Sequence, residues 1–216
     1  MRRAARATKW IMDRIVALLM TLVLLPGMIV IAVAISLDDG RPILFVQRRI
    51  GKHGRAFPML KFRSMVRDAI AQYAAVTDDP FGVVRNDPRI TSTGRFLRRT
   101  GLDELPQLLN VLVGQMSLVG PRPDVPEQVA NYTHEERGRL AVPPGITGWA
   151  QVRGREAIGW PDRIALDLWY IDHWSVWLDM KIILLTIGQL FRTEPDPVHD
   201  SMNVDRSRER QRDRLP

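Results

Sequence analysis

Residues 15–37 form an uncharged stretch dominated by aliphatic side chains. A straight helix of this length would reach about 35 Å, which is enough to cross a bilayer. Pro26 and Gly27 lie near its centre, where a proline removes a helix hydrogen bond and clashes with the preceding turn. The pattern therefore predicts a membrane helix with a sharp bend at its middle.

Basic residues flank this stretch on both sides and constrain its topology. They are Arg2, Arg3, Arg6, Lys9 and Arg14 before it, and Arg41, Arg48, Arg49, Lys52 and Arg55 after it. The positive-inside rule would place both ends in the cytoplasm, so we predict a re-entrant helix-break-helix hairpin. Two alternatives are a single kinked span and a secretory signal peptide cleaved after residues 32–34, although the apolar stretch is long for a signal peptide.

The rest of the chain predicts a mixed α/β fold that is mostly helical. Residues 42–66 are typical of a β-hairpin, with strands at 43–46 and 59–62 and a turn at 52–55. Further helical patterns cover residues 67–76, 128–140 and 162–192.

A leucine stripe predicts one more helix. Leucines recur at three- and four-residue spacing from Leu102 to Leu112. Because Pro106 is acceptable only in a first turn, the helix is predicted to begin near Asp103 or Glu104. The carboxylate pair therefore opens the helix.

Composition favours anionic partners. The chain of 216 residues has a net charge of +7, and its basic cluster directly before the apolar stretch favours lipid headgroups. A nucleic-acid-binding protein is an alternative suggested by charge alone; the apolar stretch and the lack of a recognisable motif count against it. The chain has no cysteine, and its four histidines lack metal-ligand spacing.

Asp103 and Glu104 are the first candidates for chemistry. Acidic residues are common in a first helical turn because they stabilise free amides, so a capping role is one interpretation. The functional interpretation is a nucleophile, Asp103, beside a residue that handles a proton, Glu104. Neighbours on a helix point about 100° apart and can serve different partners.

Basic residues in three segments could hold a phosphate. Arg122 lies between two prolines that restrict its backbone, and its planar guanidinium suits a phosphate. Lys61 and Arg63 are predicted to share one face of a strand. Gln151 and Arg153 belong to a glycine-rich segment at residues 144–155 that could line a pocket. Each of these could instead be an ordinary exposed side chain.

Together these segments resemble the bacterial sugar transferase family, the monotopic polyprenol-phosphate phosphoglycosyl transferases. The similarity runs from about residue 10 to residue 192. It is carried by KFRSM at 61–65, the segment at 94–110 with LDELPQLLN, SLVGPRP at 117–123 and PGITGWAQVRGR at 144–155. The joint occurrence of these ordered motifs is specific.

The resemblance implies transfer of a sugar 1-phosphate from a nucleotide diphosphate sugar, expected to be a UDP-sugar, to undecaprenyl phosphate. Asp103 would attack the β-phosphorus and form a covalent phosphosugar intermediate. Glu104 would assist attack by the lipid phosphate, and Mg²⁺, contacted by Asp103, would offset diphosphate charge. The remaining candidates would bind substrate: Lys61, Arg63, Arg122, Gln151 and Arg153.

The same resemblance implies a small monotopic enzyme on the cytoplasmic face of the cell inner membrane, in contact with membrane lipid and not with nucleic acid. It would have a membrane-inserted helix at residues 1–40 and a catalytic domain at 41–193. The charged composition of residues 194–216, with little hydrophobic material, predicts a disordered tail. A homo-oligomer is possible. The alternative function is a catalytically silent membrane module that binds nucleotide sugars in a polysaccharide assembly complex.

Two positions depart from the family pattern. A basic residue often precedes the PGITG segment, whereas this chain has Pro143 there. The helix break is often Ser-Pro, whereas here Leu25 precedes Pro26. The first departure implies that one phosphate contact is either missing or supplied elsewhere, with Arg153 as the candidate.

Overall fold

The computed structural model describes residues 3–69, 71–72, 87–154 and 158–190. Its helices are α1 (Arg3–Asp39), α2 (Ser92–Thr100), α3 (Gln107–Leu112), α4 (Pro126–Ala130), α5 (Trp149–Gly154), α6 (Trp160–Asp172) and α7 (Val176–Leu190). Its strands are β1 (Leu44–Ile50), β2 (Ala56–Phe62), β3 (Ser117–Val119) and β4 (Gly145–Thr147). The predicted mixed and mostly helical fold is therefore confirmed.

Helix α1 is continuous, with Pro26 inside it. It is long and apolar enough to cross a membrane by length and composition, and its apolar window has a mean hydropathy of 2.8 with only 6% of it buried. The re-entrant hairpin with a break at Pro26 is not confirmed and stays a prediction, as do the domain boundaries. The predicted tail lies outside the described residues.

One side of α1 packs along the domain from end to end. The packed side chains recur every three or four residues, as one face of a helix requires; they are Asp13, Ala17, Thr21, Leu24, Met28, Ile31 and Ile35. At the C-terminal end Asp38 accepts a hydrogen bond from the amide of Thr93 at 2.8 Å. At the N-terminal end Ser117 donates one to Asp13 at 2.5 Å.

The predicted hairpin is confirmed as the antiparallel pair β1–β2. Lys52–Gly54 form a 3₁₀ turn between the strands, in which His53 takes a left-handed conformation with φ of 58°. Phe57 and Met59 of β2 are buried, and Lys61 follows them at the same two-residue spacing. A lysine is therefore directed inward, where a buried carboxylate can pair with it.

The helix predicted at the leucine stripe divides into two parts. Gly101, with φ of 69°, ends α2 in a left-handed conformation that glycine adopts readily. A 3₁₀ turn at Leu102–Glu104 follows and leads into α3. Asn110 of α3 is buried and fixes the helix on β2, because its side chain accepts from the amide of Leu60 at 3.0 Å and donates to the carbonyl of Pro58 at 2.8 Å.

Strands β3 and β4 form a short parallel ladder, with Ser117 opposite Gly145 and Val119 opposite Thr147. The backbones approach closely just beyond this ladder. A Cβ added to Gly120 would lie 2.7 Å from the carbonyl oxygen of Pro143, so only glycine fits without a shift. The glycine-rich segment therefore serves first as a support for the loop that follows β3.

Three of the predicted helices differ in the structure. Residues 67–69 and 71–72 form turns, and residues 73–76 lie outside the described part. In place of one helix at 128–140 there are α4 and a 3₁₀ segment at Glu136–Ala141. The amphipathic stretch from residue 162 divides into α6 and α7, and residues 191–192 are outside the described range.

Candidate functional site

The two adjacent carboxylates occupy different environments. Asp103 is only 8% exposed, and its carboxylate makes no hydrogen bond or ion pair with any residue that the structure describes. Glu104 receives two cations on one oxygen: Oε1 accepts from Lys61 Nζ at 2.8 Å and from Arg122 Nη2 at 2.9 Å. One carboxylate is therefore free to react, and the other organises the positive charge beside it.

These environments move the two pKa values in opposite directions. Burial raises the pKa of Asp103, although the charge of Lys61 partly offsets it. Burial also opposes ionisation of Glu104, but Arg122 and Lys61 outweigh it and hold the pKa of that carboxyl well below its usual range. Burial lowers the pKa of Lys61, with Glu104 counteracting.

The loop that presents Arg122 is fixed at four consecutive carbonyl groups. The carbonyl of Pro121 accepts from the amide of Gly145 at 2.9 Å, and that of Arg122 accepts from Arg139 Nη2 at 3.2 Å. The next two bonds come from β1: Arg49 Nη1 donates to the carbonyl of Pro123 at 3.0 Å, and the amide of Ile50 donates to that of Asp124 at 2.9 Å. We call residues 121–124 the phosphate loop.

Arg139 is the buried centre of the support beneath the phosphate loop. Its guanidinium pairs with Asp124 and with Asp167, the latter at 2.7 Å, and donates to the hydroxyl of Tyr132 at 2.6 Å. The hydroxyl of Tyr132 in turn donates to Asp124. Burial alone would lower the pKa of Arg139, but the two carboxylates raise it above its usual value. The guanidinium is therefore charged and held from several sides.

Arg49 adds a further positive charge close to the site. Besides the phosphate loop, it binds Gln47, to which Nη2 donates at 2.7 Å. Burial and the neighbouring charge of Arg122 lower its pKa to about 10, while Asp124 and Glu104 oppose the shift. The guanidinium therefore stays protonated near neutral pH and reinforces a region suited to anions.

The structure brings together four of the predicted site residues: Asp103, Glu104, Lys61 and Arg122. It places Arg63 elsewhere. Because β2 ends at Phe62, Arg63 does not share a strand face with Lys61; its guanidinium donates to the carbonyls of Asp39 and Gly40, at the end of α1. The expectation of a shared face is therefore wrong.

Gln151 and Arg153 contact other parts of the fold. Gln151 donates to the carbonyl of Ile146 at 3.1 Å, and its side-chain oxygen is buried without a hydrogen bond among the described residues. Arg153 lies over the ring of Trp149, with its Cζ 4.3 Å from the centroid. The structure shows no bond from either residue to the carboxylate pair, and their role in substrate binding stays a prediction.

The site could offer a divalent cation one carboxylate ligand, that of Asp103. Asp103 offers a carboxylate that no described residue binds, whereas Glu104 is already bound by Lys61 and Arg122. The described residues contain no group of three acidic or histidine side chains placed to hold a metal. Magnesium is commonly bound by one or two carboxylates together with substrate phosphates and water, and Asp103 suits that arrangement.

Sequence reasoning missed Arg139, Asp124 and Asp167 as supports and used Arg49 only as a flanking charge. One signal was available: Asp124 directly follows the Pro-Arg-Pro segment, where a carboxylate beside an arginine predicted to bind phosphate suggests a buried partner. The pairing of Arg139 with Asp167, 28 residues away, has no local signature. Such tertiary ion pairs are visible only in the fold.

A long, largely exposed apolar helix and a buried carboxylate beside several cations are together typical of an enzyme that handles phosphorylated substrates at a membrane. Comparison with known proteins agrees with this class. The profile of the family described as "Bacterial sugar transferase" matches residues 4–193. The chain therefore belongs to the bacterial sugar transferase family, as the sequence motifs predicted.

Three similar proteins extend the comparison. The sugar transferase EpsL of Bacillus subtilis, itself called uncharacterized, is 44% identical over 160 residues, which cover 74% of this chain and 75% of EpsL. The undecaprenyl-phosphate galactose phosphotransferase of Salmonella typhimurium is 37% identical over 204 residues, 89% of this chain and 42% of that protein. The UDP-glucose:undecaprenyl-phosphate glucose-1-phosphate transferase of Escherichia coli is 42% identical over 189 residues, which cover 83% of this chain and 39% of that protein. The chain thus spans less than half the length of the last two.

Proposed function

We propose that the protein transfers a sugar 1-phosphate from a UDP-sugar to undecaprenyl phosphate, beginning the assembly of an extracellular polysaccharide or another glycoconjugate. One observation carries the proposal: Asp103, a buried carboxylate without a partner among the described residues, lies next to a carboxylate that holds two cations, Lys61 and Arg122. Family membership and the activities of two relatives, a galactose and a glucose phosphotransferase, support the same reaction class.

In the first step an oxygen of Asp103 attacks the β-phosphorus of the donor. A bond forms between that oxygen and phosphorus, and the bond from phosphorus to the oxygen that bridges to the α-phosphorus breaks. The nucleoside monophosphate leaves with that oxygen, and the sugar phosphate stays on Asp103 as an acyl phosphate. Lys61 and Arg122 lie where they can stabilise charge on the phosphate oxygens.

In the second step an oxygen of the lipid phosphate attacks the same phosphorus. The bond to Asp103 breaks, its carboxylate is regenerated, and the polyprenyl diphosphate sugar is released. Because the pKa of Glu104 is depressed, this carboxylate is a weak base while both cations bind it. Substrate phosphates that draw Lys61 or Arg122 away would make Glu104 a stronger base in the loaded site.

Magnesium, held by Asp103 and the donor phosphates, would supply charge neutralisation when bound. The chain's own cations contribute in the same direction. Arg122 is presented on a loop whose carbonyls are all bonded, so little conformational freedom is lost when its guanidinium binds phosphate. Arg49 adds positive potential without contacting Glu104 directly.

The same proposal places the protein on the cytoplasmic face of the inner membrane, with α1 inserted and not spanning. Both ends of α1 contact the same domain, Asp13 through Ser117 and Asp38 through Thr93. A spanning helix would separate its two ends by the hydrocarbon thickness of about 30 Å, and the domain could then reach only one of them. Contacts at both ends of α1 with the same domain support a helix that does not cross the bilayer from one face to the other.

The direct test is release of the nucleoside monophosphate by detergent-purified protein with Mg²⁺, undecaprenyl phosphate and a panel of UDP-sugars. Donor labelled at the β-phosphate should also leave its label on the protein when the lipid is omitted. Asp103→Asn should abolish both release and labelling, because the amide is a far weaker nucleophile.

The matched control is Asp172→Asn, the same chemical change at an exposed position of α6. This variant should keep wild-type turnover. Lipid-dependent release that persists in Asp103→Asn, in a preparation free of the wild-type enzyme, would disprove the role of Asp103. Release without any protein-bound label would argue for direct transfer between the substrates.

A further inference from the structure

A cavity of about 90 Å³ lies beside the N-terminal part of α1. Its apolar lining comes from three separate segments of the chain. Met116 precedes β3 and Val119 ends it, Val142 and Pro143 precede β4, and Ile171 belongs to α6. None of the residues that form the carboxylate site lines it. The cavity is therefore separate from the proposed reaction centre.

The mouth of the cavity is aromatic and cationic. Trp10 is 55% exposed, and the guanidinium carbon of Arg14 lies 3.4 Å from the centroid of its ring. Gly114, with φ of 85°, lets Arg14 lie against its backbone, because an added Cβ would collide with the guanidinium. Lys52 contributes a second positive charge, and neither Arg14 nor Lys52 forms an ion pair within the described part of the chain.

The polar groups that border the cavity already have hydrogen-bond or ion-pair partners. Asp13 accepts from Ser117 at 2.5 Å, and the hydroxyl of Tyr170 donates to the carbonyl of Val119 at 3.1 Å. Lys9 pairs at 2.6 Å with Asp179, a residue outside the lining. A polar ligand such as a nucleoside would find few free hydrogen-bonding groups here. An apolar chain would leave none of these groups unsatisfied.

The position of the cavity mouth along α1 indicates that such an apolar chain would come from a membrane lipid. Arg14 is the last charged residue before the uncharged stretch at residues 15–37. If that stretch lies in lipid, the mouth lies at the level of the phosphate headgroups, where tryptophan and basic residues are enriched. A cavity of this volume is smaller than one of about 150 Å³ that accepts benzene, so it has room for a few methylene groups only.

We infer that this cavity binds part of an acyl chain of an anionic phospholipid from the surrounding membrane, with the lipid phosphate between Arg14 and Lys52. The site anchors the N-terminal end of α1 at a fixed depth. It rests on membrane insertion of α1 and does not depend on the proposed transfer reaction.

The test uses the full chain in lipid nanodiscs with phosphatidylglycerol that carries a photoreactive diazirine in one acyl chain, and no sugar donor. After illumination, peptide mass spectrometry locates the adducts. We expect adducts on the cavity residues Met116, Val142 or Ile171. Adducts on the exposed face of α1, for example at Leu22, report general contact with lipid and normalise the result.

Lys52→Glu reverses the charge at the mouth without filling the cavity and should reduce normalised labelling by about fivefold. Arg55→Glu is the matched control, since Arg55 is exposed on the same hairpin and does not line the cavity. Val142→Phe should block the floor and reduce labelling independently of charge. Asp103→Asn should label like wild type, which separates this site from the transfer reaction.

Three results would overturn the inference. The first is labelling confined to the exposed face of α1. The second is equal cavity labelling by a phosphatidylcholine probe, with no effect of Lys52→Glu. The third is displacement of the label by undecaprenyl phosphate but not by unlabelled phosphatidylglycerol, which would make the cavity an acceptor site.

Discussion

Replacing Arg139 by glutamine should destabilise the fold and slow the reaction together. The side chain of Arg139 is 2% exposed and pairs with both Asp124 and Asp167. Removing one partner of a buried ion pair costs about 3–5 kcal/mol, because a buried charge is left without compensation. For a chain of this size that corresponds to a fall in Tm of about 6–20 °C.

The effect on turnover follows from one contact. Arg139 donates to the carbonyl of Arg122 at 3.2 Å, and without it the phosphate loop loses one of its four anchors. A misplacement of about 1 Å in a positioning group can cost about 100-fold in rate. We expect kcat to fall by up to about this factor at temperatures where the variant is still folded.

The assay combines thermal unfolding in detergent with release of nucleoside monophosphate well below the Tm of each variant. Arg137→Gln, the same change at an exposed position two residues away, is the control and should match wild type. The double variant Arg139→Gln/Asp167→Asn should recover part of the lost Tm, because one orphaned carboxylate is removed. A Tm within about 2 °C of wild type would refute the energetic reasoning. A lowered Tm with unchanged kcat would refute the link to Arg122.

Three further predictions concern ionisation and topology. Asp103 must be ionised to attack, and burial raises its pKa, so the acid limb of the pH profile of kcat/KM should have its midpoint above 3.8, the ordinary pKa of an aspartate. Lys61→Met should move this midpoint higher still, because the positive charge of Lys61 lowers the pKa of Asp103. A midpoint at or below 3.8 would contradict the prediction. The pKa of Glu104 is lower in the folded state than the usual 4.5 of an unfolded glutamate. Its ion pairs therefore stabilise the fold fully above pH 4.5, and this stabilisation is lost as the pH falls through the pKa of the folded state. Melting curves across this acid range should therefore show a smaller fall for Glu104→Gln than for wild type, and parallel curves would count against the ion pairs. Because the chain has no cysteine, the single variants Thr8→Cys and Arg55→Cys can each be probed with a membrane-impermeant maleimide. Both cysteines should react only after spheroplasts are permeabilised. Labelling of position 8 alone in intact cells would indicate a spanning helix.

Local patterns in the sequence predicted local structure well. The hairpin β1–β2 follows from alternation and a turn rich in glycine. The family motifs implied that Lys61 and Arg122 bind substrate, but not that both pair with Glu104. Alternation alone would have placed Arg63 beside Lys61. The expectation failed because Arg63 lies one residue beyond β2, where its guanidinium donates to the carbonyls of Asp39 and Gly40.

Helix ends were harder to predict because short polar side chains set them. Thr133 and Glu136 bond reciprocally, each amide to the other's side chain, and this capping box starts a new segment inside the predicted helix at 128–140. Ser175 accepts from the amide of Leu178 at 3.1 Å and so begins α7 within the predicted stretch at 162–192. Both signals are in the sequence, but the hydrophobic period alone does not reveal them.

The four anchors of the phosphate loop have a consequence for folding. They come from β1, from the 3₁₀ segment at Glu136–Ala141 and from β4, which are distant in the chain. The phosphate loop can reach its final shape only when all three segments have docked. We therefore expect the amides of Ile50 and Gly145 to exchange hydrogen as one cooperative unit, although 95 positions separate them. A partly folded chain would then expose neither a usable Arg122 nor an ordered site for the reactive acyl phosphate.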